Sequence, residues 1–454
     1  MAKPGSPSID PDSGFCPRTG IFHSLRPPLP LPPENAPLSA AAYALSLQSS
    51  SSWPESTALI DGATTSRLSH PQFRRYVDVL ALSLRSEIGL SRNDVAFVLC
   101  PTSIRVPILY FALLSIGAVV SPANPLSTSS EISRQIKISK PVVAFATSAS
   151  AGKLPKQGFK TILIDSPEFE LMMTRTTAAE LEPVEVRQDD VAAIFFSSGT
   201  TGLVKGVVLT HRNLIASTAN YYFVHKERSS PVVGIYMTPY FHIFGFHYCL
   251  KSVALTETVV VMGRFELAKM LKSMEDYRVT NLAVVPPIVV AMVKSNLTQK
   301  FDLGSLEAVG CGAAPLGIDL MEVFAQKFPK IHLYQGYGMT ETSGAAFRAI
   351  NPQEYAKRGS VGKLIGTNEA KIVDLQTGTA LPPGKKGELW LRGPTIMKGY
   401  ADDNKANSEA LVSGGWLRTG DVCYIDEKGF LFVVDRMKEM IKYKGYQVIN
   451  TCLR

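Results

Sequence analysis

One segment rich in glycine and hydroxyl residues combines the groups that hold a phosphate. Residues 197–206 read Ser-Ser-Gly-Thr-Thr-Gly-Leu-Val-Lys-Gly. Glycines let the backbone turn tightly and bring N–H groups near a ligand, while the hydroxyls and the lysine supply donors and positive charge. The pattern is not the Walker A motif, in which Gly-Lys-Ser/Thr opens a helix. Apolar runs at 191–196 and 207–210 predict a strand–loop–strand hairpin that presents Lys205, and a flexible surface loop is the alternative.

Three further segments carry groups that suit a nucleotide site. Residues 335–341, Gln-Gly-Tyr-Gly-Met-Thr-Glu, combine an aromatic ring for a base, a hydroxyl for a phosphate and a carboxylate for Mg²⁺. Residues 416–421 form a second loop that ends in Asp421, which together with Arg436 could hold the two hydroxyls of a ribose. Residues 310–315, Gly-Cys-Gly-Ala-Ala-Pro, are small enough for a flat ring to approach. Each segment alone is equally compatible with a turn or a surface ion pair.

His242 lies in an aromatic and apolar stretch, Pro-Tyr-Phe-His-Ile-Phe-Gly at residues 239–245. Histidine is a frequent general acid or base, so this residue is a candidate for catalysis. The alternative is a core histidine that only makes a hydrogen bond.

The elements expected around these segments alternate between strand and helix. Strands predicted at 58–61, 94–100, 118–122 and 142–146 alternate with helices at 70–88, 105–116 and 129–139, the last opened by a serine cap. The same alternation returns after the phosphate segment, with strands at 235–239, 258–262, 282–285, 308–310 and 331–334. The helices expected there are 211–222, 267–277 and 287–295. This pattern predicts an α/β fold of parallel sheets with helices on both faces.

The chain is predicted to have three parts. Residues 1–56 form an extended, proline-rich arm with one short helix near 38–47, and residues 57–435 form the α/β domain. Its final part, from about residue 359, has short alternating runs with glycine and proline pairs, which predict a small β-barrel or β-rich subdomain. Residues 436–454 form a short C-terminal stub.

The composition excludes several classes of protein. With 45% hydrophobic and 19% charged residues, the 454-residue chain is an ordinary globular protein. The net charge of +8 is spread without a lysine or arginine tract, so we expect no nucleic-acid partner. The six cysteines are far apart and lack zinc spacing, which predicts unpaired thiols in a reduced compartment.

The location predicted from the sequence is cytoplasmic. No apolar run is long enough to span a bilayer and no secretory signal is visible, so we expect no transmembrane segment. The chain ends in Thr-Cys-Leu-Arg, which is not a peroxisomal Ser-Lys-Leu signal.

In their order and spacing the segments resemble the acyl-adenylate-forming (AMP-binding) superfamily, and within it the plant 4-coumarate–CoA ligase-like proteins, over residues 15–448. The motifs that carry the resemblance are the phosphate segment, Tyr-Gly-Met-Thr-Glu, Thr-Gly-Asp and Asp-Arg-Met-Lys-Glu-Met-Ile-Lys-Tyr-Lys-Gly-Tyr-Gln-Val. The resemblance implies a large N-terminal domain of two helix-flanked β-sheet subdomains and a small β-barrel subdomain. It also implies an acid–CoA ligase that uses ATP, Mg²⁺ and coenzyme A. Such an enzyme joins a carboxylic acid to AMP, releases pyrophosphate and then transfers the acyl group to the thiol.

The resemblance implies a role for each matching residue. The β- and γ-phosphates would contact Ser197, Ser198, Gly199, Thr200, Thr201, Gly202 and Lys205, while Thr340 would contact the α-phosphate and Glu341 would bind Mg²⁺. Adenine would be framed by Gly312, Ala313, Gln335, Gly336 and Tyr337, and the ribose held by Asp421 and Arg436. His242 would lie beside the acyl carboxylate and the coenzyme A tunnel, with Lys438 at the hinge. Lys442 and Gln447 would act in the thioester step, and coenzyme A would contact Lys444, Gly445 and, by a weaker match, Arg264.

The acyl pocket departs from the family pattern. Hydroxycinnamate ligases read Phe-His-Ile-Tyr-Ser where this chain reads Phe-His-Ile-Phe-Gly, so Phe244 lacks the hydroxyl that can bond a phenol. After Glu341 the chain reads Thr-Ser-Gly-Ala-Ala instead of Ala-Gly-Pro. A pocket without this hydroxyl discriminates less strongly in favour of a phenolic acid. We expect a more apolar acid, either of the fatty or jasmonate-precursor type or an unhydroxylated cinnamate.

The C-terminal end is the second departure. Residues 449–454 stand where relatives continue into a lid domain that carries the adenylation lysine. Loss of one transition-state cation costs on the order of 10²–10³ in rate, so we expect these 454 residues to bind nucleotide and acid but to adenylate poorly.

Two other functions stay open on the sequence. One is a non-catalytic nucleotide-binding or regulatory isoform, which the missing lid favours. The other is an adenylating enzyme with a different acceptor, such as a carrier protein or oxygen. Lys444 and Gly445 favour coenzyme A as the acceptor.

Overall fold

The computed structural model describes residues 9–48, 55–156, 158–176, 184–197, 204–225, 228–437, 441–443 and 446–448. Most of them form two large sheets flanked by helices and a third, antiparallel sheet. The predicted α/β class is confirmed. Among the described helices, none is long and apolar enough to cross a membrane. The five described cysteines are buried and unpaired.

The first sheet carries the phosphate segment near one edge. Within the described residues its strands lie in the order Gly399–Tyr400, Lys205–Thr210, Val191–Ser197, Val119–Pro122, Val95–Leu99, Val143–Ala146 and Lys160–Leu163. The last five run parallel, while Lys205–Thr210 is antiparallel to both of its neighbours. The hairpin predicted from the two apolar runs is therefore present.

The second sheet is the larger of the two helix-flanked sheets. Its described strands lie in the order Lys363–Leu364, Gly344–Arg348, His332–Met339, Ala308–Cys311, Asn281–Val284, Val233–Tyr236, Thr258–Val261, Thr57–Asp61 and Arg67–Ser69. The central strands are parallel and the outer ones are antiparallel. Their short apolar runs are buried because helices cover both faces.

The third sheet is the predicted β-rich part, and it also includes two strands from the N-terminal arm. Its described strands are Phe15–Cys16, Ile21–His23, Glu369–Val373, Gly387–Arg392, Trp416–Ile425 and Leu411–Val412, with Leu431–Arg436 paired to Trp416–Ile425. All its pairings are antiparallel. A separate hairpin joins Ile441–Tyr443 to Tyr446–Val448.

The helices follow from apolar periodicity and well-defined caps. His70–Ser86 begins with a capping box between Ser69 and Gln72, which satisfies two backbone donors of its first turn. The α-helices of the described residues are Ala40–Gln48, His70–Ser86, Arg105–Ser115, Ser129–Ser139, Ser148–Ala151, Pro167–Thr174, His211–Tyr222, Ile243–Ala254, Leu267–Asp276, Pro286–Lys294, Ile318–Lys327, Pro352–Tyr355 and Asn404–Ala410. Short 3₁₀ turns occupy Asn296–Lys300 and Thr340–Thr342.

The structure differs from the sequence interpretation at several elements. The strand expected to end at residue 334 continues to Met339, because it pairs with the unpredicted strand Gly344–Arg348. Residues 416–421 are strand rather than loop, since they pair on both sides within the third sheet. The cap of Ser129–Ser139 is Thr128, not a serine. The helices Ile243–Ala254 and Ile318–Lys327 were not predicted.

Candidate active site

The carboxylate of Glu341 lies where the phosphate hairpin meets the turn Thr340–Thr342. Glu341 is 5% exposed, and its Oε1 accepts hydrogen bonds from the Ser197 hydroxyl at 3.2 Å and the Tyr400 hydroxyl at 3.0 Å. Ser197 ends the first strand of the hairpin, so this carboxylate lies at the mouth of the loop. The structure thus brings together two predicted residues and adds Tyr400, which sequence reasoning missed. Thr340 is half-buried in the same turn.

Lys205 stands opposite Ser197 across the hairpin as its cross-strand partner. Its ammonium lies 4.8 Å from the centre of the Tyr400 ring. A cation–π contact holds an ammonium in place without neutralising it. Among the described residues, no carboxylate lies within ion-pair distance of Lys205. Its positive charge is therefore available to a phosphate at the mouth of the loop.

Glu341 fits the requirement of a magnesium ion. Mg²⁺ is usually held by one or two carboxylates together with phosphate and water oxygens. Both hydrogen bonds described for Glu341 end on Oε1, so Oε2 has no partner among the described residues. The described part of the chain contains no group of three or more acidic, histidine or cysteine residues suited to a metal ion. A single carboxylate with one available oxygen matches an ion whose other ligands come from a nucleotide.

Asp421 forms a second polar centre with Tyr337 and Arg436. Asp421 is 5% exposed; its Oδ2 accepts from the Tyr337 hydroxyl at 2.6 Å and its Oδ1 from Nε of Arg436 at 3.2 Å. Burial raises the pKa of Asp421, and the hydrogen bonds from Tyr337 and Arg436 oppose that rise. Burial also raises the pKa of Tyr337 well above its usual value, so its hydroxyl remains a donor. The structure brings these three predicted residues together.

The residues predicted to frame adenine occupy two different faces of the second sheet. Gly312 follows the strand Ala308–Cys311, and Ala313 has a left-handed backbone with φ of 69°, a strained conformation for a residue with a Cβ. Gln335 has its side chain on the opposite face from Gly336. Its Oε1 accepts from the Leu316 N–H at 2.8 Å. Only the backbone of Gln335 therefore borders Gly336, while its buried amide anchors the segment that leads into Ile318–Lys327.

His242 is the N-cap of the helix Ile243–Ala254. Its Nδ1 accepts a hydrogen bond from the Phe244 N–H at 3.2 Å, which satisfies one free donor of the first turn. The side chain is exposed, and desolvation by the surrounding protein lowers its pKa. His242 is therefore not the core histidine of the alternative interpretation, and a neutral ring at pH 7 keeps Nδ1 as an acceptor.

A slot bordered by glycines runs along one face of the second sheet. Gly310 and Gly312 share this face by strand alternation, as do Tyr334 and Gly336, and Arg348 is the cross-strand partner of Gly336. A Cβ on Gly312 would meet the Phe244 ring at 3.3 Å, so helix Ile243–Ala254 forms the facing wall. We call this group of residues the glycine slot: Gly310, Gly312, Tyr334, Gly336 and Arg348 on the sheet, and Tyr221, Phe244 and Tyr248 on the helices.

The helix wall of the glycine slot is aromatic. Phe244 and Tyr248 lie one helical turn apart with ring centres 5.0 Å apart, and Tyr248 is 4.1 Å from Tyr236. Burial raises the pKa of Tyr248 well above its usual value, so it remains a neutral phenol. The i, i+4 spacing from Phe244 is the sequence signal that could have revealed Tyr248. Arg348 and Tyr400 gave no local signal, because their neighbours are distant in sequence.

Several predicted site residues lie outside the described residues or away from this region. Ser198, Gly199, Thr200, Thr201, Gly202, Lys438, Lys444 and Gly445 are outside the described residues. Lys442 and Gln447 are cross-strand partners in the C-terminal hairpin. Arg264 is exposed on the connection after Thr258–Val261. The predicted roles of all these residues stay predictions.

Comparison of the sequence with known families gives one match over most of the chain. The profile of the AMP-binding enzyme family matches residues 47–401. The 4-coumarate–CoA ligase-like 9 protein of Arabidopsis thaliana is 52% identical over 459 residues, which cover 97% of this chain and 81% of that protein. The peroxisomal OPC-8:0-CoA ligase 1 of the same plant is 41% identical over 460 residues, which cover 97% and 82%.

Solved structures give the same result for the fold. A luciferase-like enzyme from the nonluminescent mealworm Zophobas morio superposes with a TM-score of 0.79 at 24% identity, over 93% of this chain and all of that one. The o-succinylbenzoate CoA synthetase of Bacillus subtilis, solved with its acyl-adenylate intermediate, has a TM-score of 0.77 at 26% identity and covers 90% of this chain and 80% of its own. The resemblance drawn from the motifs is confirmed.

Proposed function

This chain belongs to the family of AMP-binding enzymes, and from that premise we propose that it is an ATP-dependent acid–CoA ligase of the 4-coumarate–CoA ligase-like type. The observation that carries the proposal is the contact of Ser197 and Tyr400 with Glu341. It joins the phosphate hairpin to the turn that follows the strand His332–Met339, which carries Gly336 and Tyr337. One continuous surface therefore offers groups for phosphate, ribose and acid.

The first chemical step joins the acid to AMP. A carboxylate oxygen attacks the α-phosphorus, the bond to the bridging oxygen breaks, and its electron pair leaves with pyrophosphate. Lys205 would face the leaving pyrophosphate with an unneutralised charge, and Thr340 directly precedes Glu341 in the same turn. Bound Mg²⁺, held by Glu341, would neutralise phosphate charge. The contribution of the chain is mostly positioning and electrostatic stabilisation.

Asp421 holds the nucleoside in this proposal. Its carboxylate has lone pairs beyond those used by Tyr337 and Arg436, and two vicinal ribose hydroxyls are suitable donors. Tyr337 fixes the carboxylate through its hydroxyl, and its ring lies edge-on to Phe347, on the face of the sheet opposite Gly336.

In the second step the thiol of coenzyme A loses its proton and attacks the acyl carbon. The bond from that carbon to the AMP oxygen breaks, and AMP leaves with the electron pair. His242 caps the helix that carries Phe244, and in this proposal its neutral imidazole contacts the acyl carboxylate or the thiol path. Contacts from Lys442, Gln447 and Lys444 to coenzyme A stay predictions.

The acid proposed is more apolar than a hydroxycinnamate. Phe244 packs against the ring of Tyr248 and borders Gly312, so the entrance of the glycine slot presents an apolar wall. We expect a higher kcat/KM for a medium-chain fatty acid than for 4-coumarate. A strong preference for 4-coumarate would contradict this assignment.

A thioester assay with ATP, coenzyme A and a panel of acids tests the function. It should compare residues 1–454 with the same residues extended by the C-terminal domain of a relative. We expect thioester with an apolar acid as the product. Nucleotide binding without thioester from either protein would favour a regulatory isoform, and acyl-AMP without thioester would favour another acceptor. The cytoplasmic location stays a sequence-based prediction.

A further inference from the structure

The turn that carries Glu341 ends in a residue with a strained backbone. Ser343 directly follows Thr340–Thr342 and has a left-handed backbone with φ of 56°. Serine stands here where the family pattern has glycine, the residue that adopts this conformation without strain. A left-handed residue with a Cβ persists only where its surroundings hold it. The contacts that hold Ser343 therefore also determine the shape of the turn.

Two hydrogen bonds hold Ser343 from the buried side of the turn. Its carbonyl oxygen accepts from the Ser217 hydroxyl at 2.9 Å, and its own hydroxyl donates to the Thr395 carbonyl at 2.8 Å. Ser217 is 1% exposed, and Ser343 and Thr395 are completely buried. Because water does not reach this depth, loss of the Ser217 hydroxyl would leave the Ser343 carbonyl without that donor.

The hydroxyl of Ser217 is itself oriented by His247. Oγ of Ser217 lies 3.1 Å from Nδ1 of His247. The one proton of the hydroxyl goes to the Ser343 carbonyl, so the proton between the two side chains belongs to Nδ1, which donates to Oγ. Burial and the charges of Lys251 and Arg348 lower the pKa of His247 to about 3, so the ring is neutral with a single proton. The result is a directed chain of hydrogen bonds from His247 through Ser217 to Ser343.

His247 makes this single hydrogen bond within the described part of the chain. The residue is 1% exposed, and its Nε2 has no hydrogen-bond partner among the described residues. A buried polar ring is unfavourable unless its polar atoms are paired. The bond from Nδ1 to Ser217 is therefore the polar contact that favours a histidine at this position over an apolar ring.

Ser217 also connects the turn to the phosphate hairpin. It lies in the second turn of the helix His211–Tyr222, which begins directly after the strand Lys205–Thr210. A hydrogen bond from this helix to the residue that ends the Glu341 turn links the metal carboxylate to the element that follows Lys205. The spacing between the two charged groups therefore depends on this bond.

Asn213 provides a second link one helical turn before Ser217. Its Nδ2 donates to the carbonyls of Pro394 and Ile396, each at 2.8 Å. The next residue, Met397, donates its N–H to the Glu341 carbonyl at 2.9 Å. The same helix thus holds the Glu341 turn directly through a hydroxyl and indirectly through a neighbouring segment.

We propose that Ser217 and His247 are positioning residues that fix the carboxylate of Glu341 for a metal–nucleotide complex. This inference rests on the proposed ligase function, in which Glu341 binds Mg²⁺, and adds the residues that support the turn from behind. The Ser217 hydroxyl holds the turn in place relative to Lys205, and His247 gives that hydroxyl its direction. Both side chains are buried, so they act through the turn and not by contact with the nucleotide.

The experiment measures the Mg²⁺ requirement of ATP binding to the 454-residue chain. ATP displaces a fluorescent ATP analogue at increasing Mg²⁺ concentrations, and the concentration that gives half of the gain in ATP affinity is determined for each variant. In Ser217→Ala we expect this concentration to rise about tenfold, as for other groups that orient a metal ligand, while the ATP affinity in EDTA changes by less than about twofold. Urea unfolding of the same proteins gives their stability.

A double variant tests whether His247 acts through Ser217. His247→Phe keeps a ring beside Tyr221 and removes the donor, so the Mg²⁺ requirement should rise about fivefold. The variant with both substitutions should match Ser217→Ala at about tenfold, whereas independent roles would give about fiftyfold. Ser217→Thr keeps the hydroxyl and should stay within about twofold of the parent chain.

Ser83→Ala is the matched control. Ser83 is also a buried helix serine, 2% exposed, and its hydroxyl donates to the Met172 carbonyl at 2.9 Å. This bond joins the helices His70–Ser86 and Pro167–Thr174, outside the candidate active site. We expect Ser83→Ala to lower the unfolding free energy, as Ser217→Ala does, and to leave the Mg²⁺ requirement unchanged.

An unchanged Mg²⁺ requirement in Ser217→Ala would overturn the inference. An equal rise in Ser83→Ala would also overturn it, because the effect would then follow stability alone. A double variant near fiftyfold would overturn the role of His247. If Ser217→Ala does not fold, His247→Phe gives the same comparison with Ser217 intact. ATP affinity that is independent of Mg²⁺ in the parent chain would contradict the proposed function itself, a result seen before any variant is compared.

Discussion

The hydroxyl of Tyr400 should control how Glu341 meets a metal–nucleotide complex. Tyr400→Phe removes the 3.0 Å hydrogen bond to Oε1 and keeps the ring that contacts the Lys205 ammonium. Glu341 is 5% exposed, so water cannot fully replace the lost donor. Hydrogen bonds to charged groups contribute about 1.5–3 kcal/mol, and loss of a group that orients a metal ligand lowers metal affinity about 10–100-fold. Because Ser197 still donates to Oε1, we expect a loss near the lower limit, about tenfold.

The assay is calorimetric titration with ATP in Mg²⁺ and again in EDTA. The Mg²⁺-dependent gain in ATP affinity should fall about tenfold in Tyr400→Phe, while affinity in EDTA changes by less than about twofold because Lys205 keeps its contact. Tyr424→Phe is the matched control, since that ring stacks on Phe432 in the third sheet, away from Glu341. An unchanged Mg²⁺ gain in Tyr400→Phe would refute the reasoning. An equal loss in Mg²⁺ and in EDTA would assign Tyr400 to the fold or to Lys205 instead.

Three further predictions concern pH, ribose and acid. Burial lowers the pKa of His211 to about 4 from 6.5, so its stabilising effect is complete above pH 6.5 and is lost as the pH falls toward 4. The parent chain should lose unfolding free energy between pH 6 and pH 5, as measured by urea unfolding. In His211→Asn, whose amide oxygen can still accept from the Ala40 N–H, that loss should be smaller by about 1 kcal/mol. An equal loss in both proteins would contradict this prediction. Asp421→Asn should lower the affinity for ATP about tenfold in competition binding and leave the affinity for dideoxy-ATP unchanged. An equal loss of affinity for both nucleotides would exclude a ribose contact. Gly336→Val should raise the KM of long acids about tenfold by filling the slot, with the melting temperature retained; a lower melting temperature would show instead that the strand has no room.

The sequence predicted most elements because their signals are local. The capping box of His211–Tyr222 is formed by Thr210 and Asn213, which are three residues apart in the chain, and the hairpin of Lys205 is bounded by two apolar runs. The segment at residues 335–341 was expected to follow a strand, with a simple turn as the alternative, but residues 335–339 continue that strand. A strand that pairs with residues 344–348 has no hydrophobic alternation of its own, because glycines occupy the positions that face the slot.

In the candidate active site, too, the sequence reveals the chemical groups but not their partners. The sequence alone indicated a nucleotide site, because a hydroxyl, an ammonium or a carboxylate is a property of the residue type. The residues in question are Ser197, Lys205, Glu341 and Asp421. Their partners depend on register between strands far apart in the chain. Tyr400 reaches Glu341 only because Gly399–Tyr400 pairs with the hairpin of the first sheet.

Tertiary structure alone decided the character of the acid slot. Phe244 predicted an apolar pocket from one position, but Tyr248 comes beside it through one helical turn and Arg348 through the pairing with Gly336. The electrostatic character of a cleft is the sum of groups that different elements bring within a few ångströms of one another, and at that range partial burial strengthens each charge. The sequence determined which chemical groups the chain has. Folding determined that Arg348 stacks on the Tyr221 ring and lies opposite Gly336 in the second sheet.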